Sequence, residues 1–179
     1  MTLDLCDALR EHLETSLKNI KLPTRGADLE KDGPARNLKI IDGYLPTKEE
    51  DSEDPYPFVL VRANSAQLSP QRSQTEVSIV VGTYGKDSVG YRDAVNVLDA
   101  VVNAIVEFTQ LPLKQKFHLV PELDWQIIKD QPWPYWQLEL KTLWGSDFSM
   151  CVPAGLPNIT SGSAFSVGYS DSLQRALYG

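Results

Sequence analysis

The chain has 179 residues, a formal net charge of −7 and two cysteines. A chain of this length can bury about 70% of its unfolded surface, so we expect one domain whose core needs neither metal nor disulfide bonds. The acidic balance disfavours a surface that holds nucleic acid non-specifically, because phosphate binding relies on Lys and Arg. Cys6 and Cys151 lie too far apart in sequence to suggest a metal cluster or a disulfide framework.

The N-terminal segment predicts a helix rather than a targeting or membrane sequence. Its first residues are acidic where a secretion signal has a basic flank, and no apolar run in the chain approaches the length of a membrane span. We therefore expect a protein made in the cytosol that has no membrane partner. Leucines recur every four residues from Leu5 to Leu17, which predicts an amphipathic helix over residues 2–20. Thr2 is its candidate N-cap, and Pro23 ends it.

A polar stretch separates this helix from the first strand. Residues 24–36 contain glycine and proline and are predicted to form a loop, and residues 38–41 a short strand before a turn at Asp42 and Gly43. Six of the basic side chains fall within residues 18–39. They could pair with the acidic segment that follows within one chain, or they could set the register between neighbouring subunits.

The sharpest charge run lies between Tyr44 and Pro57. Its acidic side chains are Glu49, Glu50, Asp51, Glu53 and Asp54. Carboxylate oxygens suit hard divalent cations, but the spacing does not match a calcium-binding loop. We therefore predict a solvated acidic loop and no metal site.

The centre of the sequence predicts two strands and a long helix. Residues 58–62 are predicted to form a strand, and residues 58–61 are apolar at every position, which is typical of a strand covered on both faces or placed in a multi-subunit assembly. Residues 63–73 are rich in Ser, Asn and Gln and are predicted to form a loop that projects as a functional arm. A second strand, residues 75–84, is expected to run antiparallel to the first. It leads through a turn into a helix over residues 88–108 that buries one face.

Three strand-like segments follow the long helix, at residues 117–120, 123–128 and 135–144. The last alternates cleanly, with Trp136, Leu138, Leu140, Thr142 and Trp144 on one face. All four tryptophans lie between Trp125 and Trp144. Stacking on a ligand is one interpretation, but tryptophans on strands most often pack in a core or an interface, which is our prediction. The element order predicts an α+β fold, an antiparallel-rich sheet with an N-terminal helix and one long helix packed on it.

The composition changes after Gly145. Residues 146–179 are rich in Ser, Thr, Gly and Pro and show no clean period, so we predict a domain over residues 1–145 followed by an extended C-terminal arm. The arm has too little apolar surface to fold alone, yet it carries large anchors for docking on another surface. These anchors are Phe165, Tyr169, Leu173, Leu177 and Tyr178.

The residue pattern predicts no catalytic, metal or cofactor site. His12 and His118 are isolated, and neither has a partner at a spacing useful for catalysis. The turn between the second strand and the long helix, residues 82–88, lacks the glycine spacing and the Gly-Lys-Ser order of a phosphate-binding loop. We therefore expect a protein that is not an enzyme.

Three segments carry a resemblance to a known family. They are Asp54-Pro55-Tyr56-Pro57-Phe58-Val59-Leu60-Val61-Arg62, then Gly82-Thr83-Tyr84 leading into Gly90-Tyr91-Arg92-Asp93, then Pro132-Trp133-Pro134-Tyr135-Trp136. In this order they resemble the tail terminator (tail completion, or head–tail joining) proteins of long-tailed bacteriophages. The resemblance spans roughly residues 40–145 and leaves the C-terminal arm unmatched.

The resemblance implies a structural virion protein of the tail and neck. Such a subunit forms a homo-oligomeric ring, usually a hexamer, that caps the tail tube and joins it to the head connector. Its partners would be other copies of itself, the tail tube protein and the head–tail connector protein, and it would be assembled in the host cytoplasm. Genomic DNA would pass through the lumen without specific binding, so we expect the acidic residues 49–54 at the lumen or rim.

Other functions fit the same sequence. The chain could be a different neck or connector subunit, or a small-molecule-binding protein or enzyme that uses the tryptophan-rich sheet as a pocket wall. A nuclease or adaptor that contacts DNA is disfavoured by the net charge of −7.

Overall fold

The computed structural model describes residues 1–26, 32–45, 54–68, 73–86, 88–129 and 133–146. The elements are α1 (Thr2–Ser16), β1 (Lys21–Leu22), β2 (Arg36–Asn37), β3 (Lys39–Asp42), β4 (Phe58–Leu68), β5 (Ser73–Tyr84), α2 (Ser88–Ile105), a 3-10 turn (Val106–Thr109), β6 (Phe117–Leu119), β7 (Asp124–Ile127) and β8 (Tyr135–Ser146). None of the described helices is long and apolar enough to cross a membrane.

Six strands form one mixed sheet, and the predicted α+β fold is confirmed. Its order is β3-β4-β5-β8-β6, and β7 pairs with β8 beside β6. Only β3 and β4 run parallel among the paired strands of this sheet, and the remaining pairs are antiparallel. β1 and β2 form a separate small antiparallel ribbon.

β5 is the central strand. It pairs with β4 from Gly82 opposite Phe58 to Ser73 opposite Leu68, and with β8 along its whole length. Every residue from Val77 to Tyr84 is buried. Burial on both faces explains the nearly continuous β-branched run here, because neither face of the strand meets water.

The main core lies between one face of the sheet and the two helices. Alternate sheet residues, including Val59, Ile79 and Leu140, point toward the helices and are fully buried. The leucines of α1 and one stripe of α2 cover them. The side chains of that stripe, all buried, are Ala94, Val97, Leu98, Val101 and Ile105. The predicted burial of one face of the long helix is therefore confirmed.

The first helix is shorter than predicted. It ends at Ser16, and the amides of Leu17 and Ile20 then bond to the carbonyls of Leu13 and Leu17 in a closing turn. Residues 21–22, on the way to Pro23, pair with β2, so the chain leaves the helix before the proline. The predicted cap at Thr2 is wrong, since Thr2 is already helical and Met1 occupies the cap without a side-chain bond.

The loop predicted over residues 63–73 is wrong for residues 63–68 and for Ser73, which lie in strands. β4 continues to Leu68, β5 begins at Ser73, and the two strands remain paired across this stretch with a register shift between Ala63 and Ser65. The polar side chains from Asn64 to Gln67 are exposed. The polar composition therefore reflects a part of the paired strands that faces solvent, and not a loop. Residues 69–72 lie outside the described residues.

Two other predictions fall largely outside the described residues. In the acidic run only Asp54 is described, and Glu49, Glu50, Asp51 and Glu53 are not. The arm anchors Phe165, Tyr169, Leu173, Leu177 and Tyr178 are also outside the described part of the chain. At the predicted domain boundary, β8 includes Ser146, which pairs with Ser73.

Leu98 on α2 offers a direct test of this packing. Its side chain is 2% exposed, so Leu98→Ala removes buried methyl groups and leaves a cavity. We expect the free energy of unfolding to fall by about 2 to 5 kcal/mol, measured by chemical denaturation. Val106→Ala, at a side chain that is 46% exposed, is the control and should change it by less than about 0.5 kcal/mol. Equal stability of Leu98→Ala and the native protein would mean that another face of α2 is buried.

Candidate functional site

A second apolar cluster lies on the sheet face opposite the helices. Its buried members are Tyr56, Phe58, Leu60, Val80 and Tyr84. On β4, Phe58 and Leu60 face this cluster, whereas Val59 and Val61 face the main core. The prediction that residues 58–62 form a strand covered on both faces is therefore confirmed for its apolar residues.

The three segments that carry the family resemblance meet at one end of the sheet. Tyr56 stacks on Tyr135 with ring centroids 4.4 Å apart, and Tyr84 meets the same Tyr135 ring edge-on at 5.6 Å. Tyr91, in the first turns of α2, meets Trp136 at 5.7 Å. We call these five residues the aromatic corner. It joins the starts of β4, β8 and α2 to the end of β5.

Close backbone packing explains the glycines of these segments. A Cβ at Gly82 would overlap the ring of Phe58 on the neighbouring strand, so no larger residue fits there without displacing that ring. Gly85 and Gly90 face each other so closely that a Cβ on either would overlap the other's backbone. The turn is also held by the hydroxyl of Thr83, which donates to the carbonyl of Gly90 at 3.0 Å.

Hydrogen bonds from β8 hold the other side of this turn. The indole Nε1 of Trp136 donates to the carbonyl of Gly85 at 3.0 Å, and the amide of Gly85 donates to the carbonyl of Pro134 at the same distance. In the described part of the turn between β5 and α2, the glycines therefore serve close packing of the backbone.

The end of the acidic run is tied to the aromatic corner from within the chain. The hydroxyl of Tyr135 donates to Oδ2 of Asp54 at 2.8 Å, and Nη1 of Arg25 donates to that hydroxyl at 3.5 Å. Nη2 of Arg36 donates to the carbonyls of Asp54 and Tyr56. Contact with the acidic segment within one chain is thus observed for Arg36, through backbone carbonyls, while Arg25 reaches Asp54 only through the hydroxyl of Tyr135. Burial, reinforced by the bond to Asp54, raises the pKa of the Tyr135 phenol.

An open depression of about 730 Å³ lies beside the second cluster. Phe58, Leu60 and Val80 line it among other residues, and Tyr44 stands at its edge, 77% exposed. Its polar lining consists of Arg62, Gln126, Lys129, Gln137 and Glu139. The depression was not predicted from the sequence. The signal that could have revealed it is the run of apolar residues at every position of 58–61.

The carboxylate of Glu139 is held by two neutral donors. The hydroxyl of Ser78 donates to Oε1 at 2.7 Å, and the amide of Gln126 donates to Oε2 at 2.9 Å. These bonds stabilise the ionised form and lower the pKa of Glu139. The two bonds fix this carboxylate as a polar anchor across β5, β7 and β8.

The tryptophans do not form one wall. Trp144 is buried and donates from Nε1 to the hydroxyl of Thr142, while Trp136 is half-buried in the aromatic corner. Trp125 and Trp133 are exposed, at 46% and 68%. All four lie within the described residues, and none is among the residues lining the depression. The core prediction is confirmed for Trp144.

His12 makes structural contacts between the two helices. Nε2 of His12 donates to the carbonyl of Ala104 at 2.7 Å, and the imidazole meets the Phe108 ring edge-on at 4.8 Å, which pins α1 to the end of α2. His118 on β6 is exposed.

Cys6 is buried, and its burial raises the pKa of the thiol. Among the described residues, no three or more His, Cys, Asp or Glu side chains group in a way that could hold a metal ion.

No protein-family model and no curated protein matches this chain.

A substitution at Gly82 tests whether close packing against Phe58 requires a glycine at this position of the motif. Gly82→Ala forces its methyl group against Phe58, and we expect the free energy of unfolding to fall by about 1 to 3 kcal/mol. Gly145→Ala on β8 is the matched control, because the nearest atom to its added methyl would be 4.0 Å away. Adding Phe58→Leu to Gly82→Ala should make the double variant less destabilised than the sum of the single effects. Strict additivity would contradict the steric account.

Proposed function

We propose that this chain is a structural virion protein of the tail-terminator type, forming a ring that ends a phage tail tube and joins it to the head connector. The observation that supports the proposal is the convergence of its three resemblance segments in the aromatic corner. Segments separated by 20 residues or more in sequence contact one another there through Tyr56, Tyr84 and Tyr135. They behave as one structural unit rather than as unrelated short matches.

The surfaces of the described residues suit a subunit of an assembly. A ring needs two different complementary surfaces on each copy. Exposed large apolar side chains are spread over several elements, including Leu68 at the end of β4, Val89 at the start of α2 and Trp133 before β8. The net charge of −7 suits a channel through which DNA slides without being held.

A second candidate is a small-molecule-binding protein or enzyme. The open depression beside Phe58 and Leu60 is the observation that favours it, since it combines apolar walls with the carboxylate of Glu139. The bonds from Ser78 and Gln126 lower the pKa of Glu139, which makes this carboxyl group a poor proton donor and argues against an acid-catalysed reaction there. A different neck or connector subunit is the third candidate, and it would share the ring but contact other partners.

The proposal is tested on the purified full-length chain by native mass measurement and by electron microscopy. We expect a closed ring, of six copies if the resemblance holds, that binds the end of isolated tail tubes. A stable monomer that binds a small molecule in the depression, with no ring at any concentration, would contradict the proposal.

A truncation in the same experiment tests the arm. A chain ending at residue 149 keeps every described residue, so we expect its thermal melt to match that of the full chain. Its ring formation or attachment to the tube should be weaker, because the anchors Phe165, Tyr169, Leu173, Leu177 and Tyr178 are gone. If the truncated chain unfolds, the arm belongs to the core of its own domain.

A further inference from the structure

β7 is an edge strand whose outer side carries no strand among the described residues. All four of its residues are exposed, and two are large and apolar, Trp125 at 46% and Ile127 at 41%. It pairs only with β8 in the described part of the chain. An exposed edge of this kind is a template for pairing with another strand unless charges or prolines protect it.

The hydrogen-bond pattern shows which backbone groups are available. In an antiparallel ladder, the N–H and C=O groups of alternate residues point toward the neighbouring strand. The amide of Ile128 donates to the carbonyl of Gln137, so the residues of the same parity, Gln126 and Asp124, also direct their backbone groups to β8. The N–H and C=O groups of Trp125 and Ile127 therefore point away from β8, to the free edge.

These free groups are complementary to those of a second β7. If a second copy of the strand lies antiparallel with the two Gln126 residues opposite each other, each Trp125 stands opposite the Ile127 of the other copy. Each such pair exchanges two N–H···O bonds, so every outward group of both residues finds a partner. A shift by one residue would place outward groups opposite inward ones.

Side chains favour the same register. Trp125 and Ile127 lie opposite Leu140 and Leu138 on β8, so both point to the helix side of the sheet, and the pairing sets an indole beside a β-branched side chain twice.

We propose that β7 is a self-association edge, through which two copies of this chain pair antiparallel about a two-fold axis and join their sheets into one. The contact uses the same surface on both copies and therefore closes at two. It is independent of the proposed ring, which would need other, non-identical surfaces on each copy.

A cysteine placed on the two-fold axis tests the register. Gln126 of each copy forms a pair that exchanges no backbone bonds, with Cα atoms about 4.5 Å apart, within reach of a disulfide. In the full chain carrying Cys151→Ser, with Cys6 buried, Gln126→Cys should give a covalent dimer on mild oxidation. Asp124→Cys is the matched control. Its partner position is Ile128 of the second copy, so it should give little dimer. Equal cross-linking of the two variants would overturn the proposal.

Two further variants test the contact without a covalent bond, with sedimentation over a range of protein concentrations as the readout. Ile127→Pro removes an outward N–H and no bond to β8, as prolines on edge strands do. Trp125→Lys places a charge on the edge. Each should abolish the two-fold association. Trp133→Lys, at a tryptophan that is 68% exposed and outside β7, should leave it unchanged. A native protein that does not self-associate, or association that survives both β7 variants, would overturn the proposal.

Discussion

Burial of β5 on both faces is the constraint on which the rest of the structure depends. Toward the helices, Ile79 and Val81 face the two-helix layer, and toward the opposite side Val80 and Tyr84 enter the second cluster. A strand with no solvated face needs a paired strand on each edge and a cover on each side. The paired strands are β4 and β8, and the covers are the helices on one side and the aromatic rings on the other. Most described elements are therefore fixed relative to β5.

The spacing of apolar residues along the sequence was sufficient to predict those helices and strands whose two faces differ in polarity. The stripe of α2 and the alternation of β8 were predicted with nearly correct bounds. The polar half of β4 was missed because residues 64–67 form a strand only through pairing with β5, a non-local partner that composition does not reveal. The aromatic corner was predicted as separate motifs, and their meeting depends on the order of strands in the sheet. The depression and the outward backbone groups of β7 could not be predicted, because both depend on which residues of neighbouring strands lie opposite each other.

The structure separates a rigid interior from surfaces suited to assembly. The motif residues of the aromatic corner make ring contacts, close backbone packing and hydrogen bonds within the chain, and their chemistry is that of a scaffold. Exposed apolar residues lie elsewhere, on the edge strand β7, at the end of β4 and at the start of α2. This division is what the proposed virion role asks of a subunit, because assembly then leaves the interior unchanged.

Hydrogen exchange of the full chain, followed residue by residue at low and high protein concentration, tests this division most directly. The account predicts that amides of β5 from Ile79 to Gly82 exchange most slowly, at the rate of global unfolding, equally at both concentrations. The amides of Trp125 and Ile127 should exchange rapidly at low concentration and become protected only on association. Fast exchange within β5, or protection of Trp125 and Ile127 that does not depend on concentration, would contradict the account.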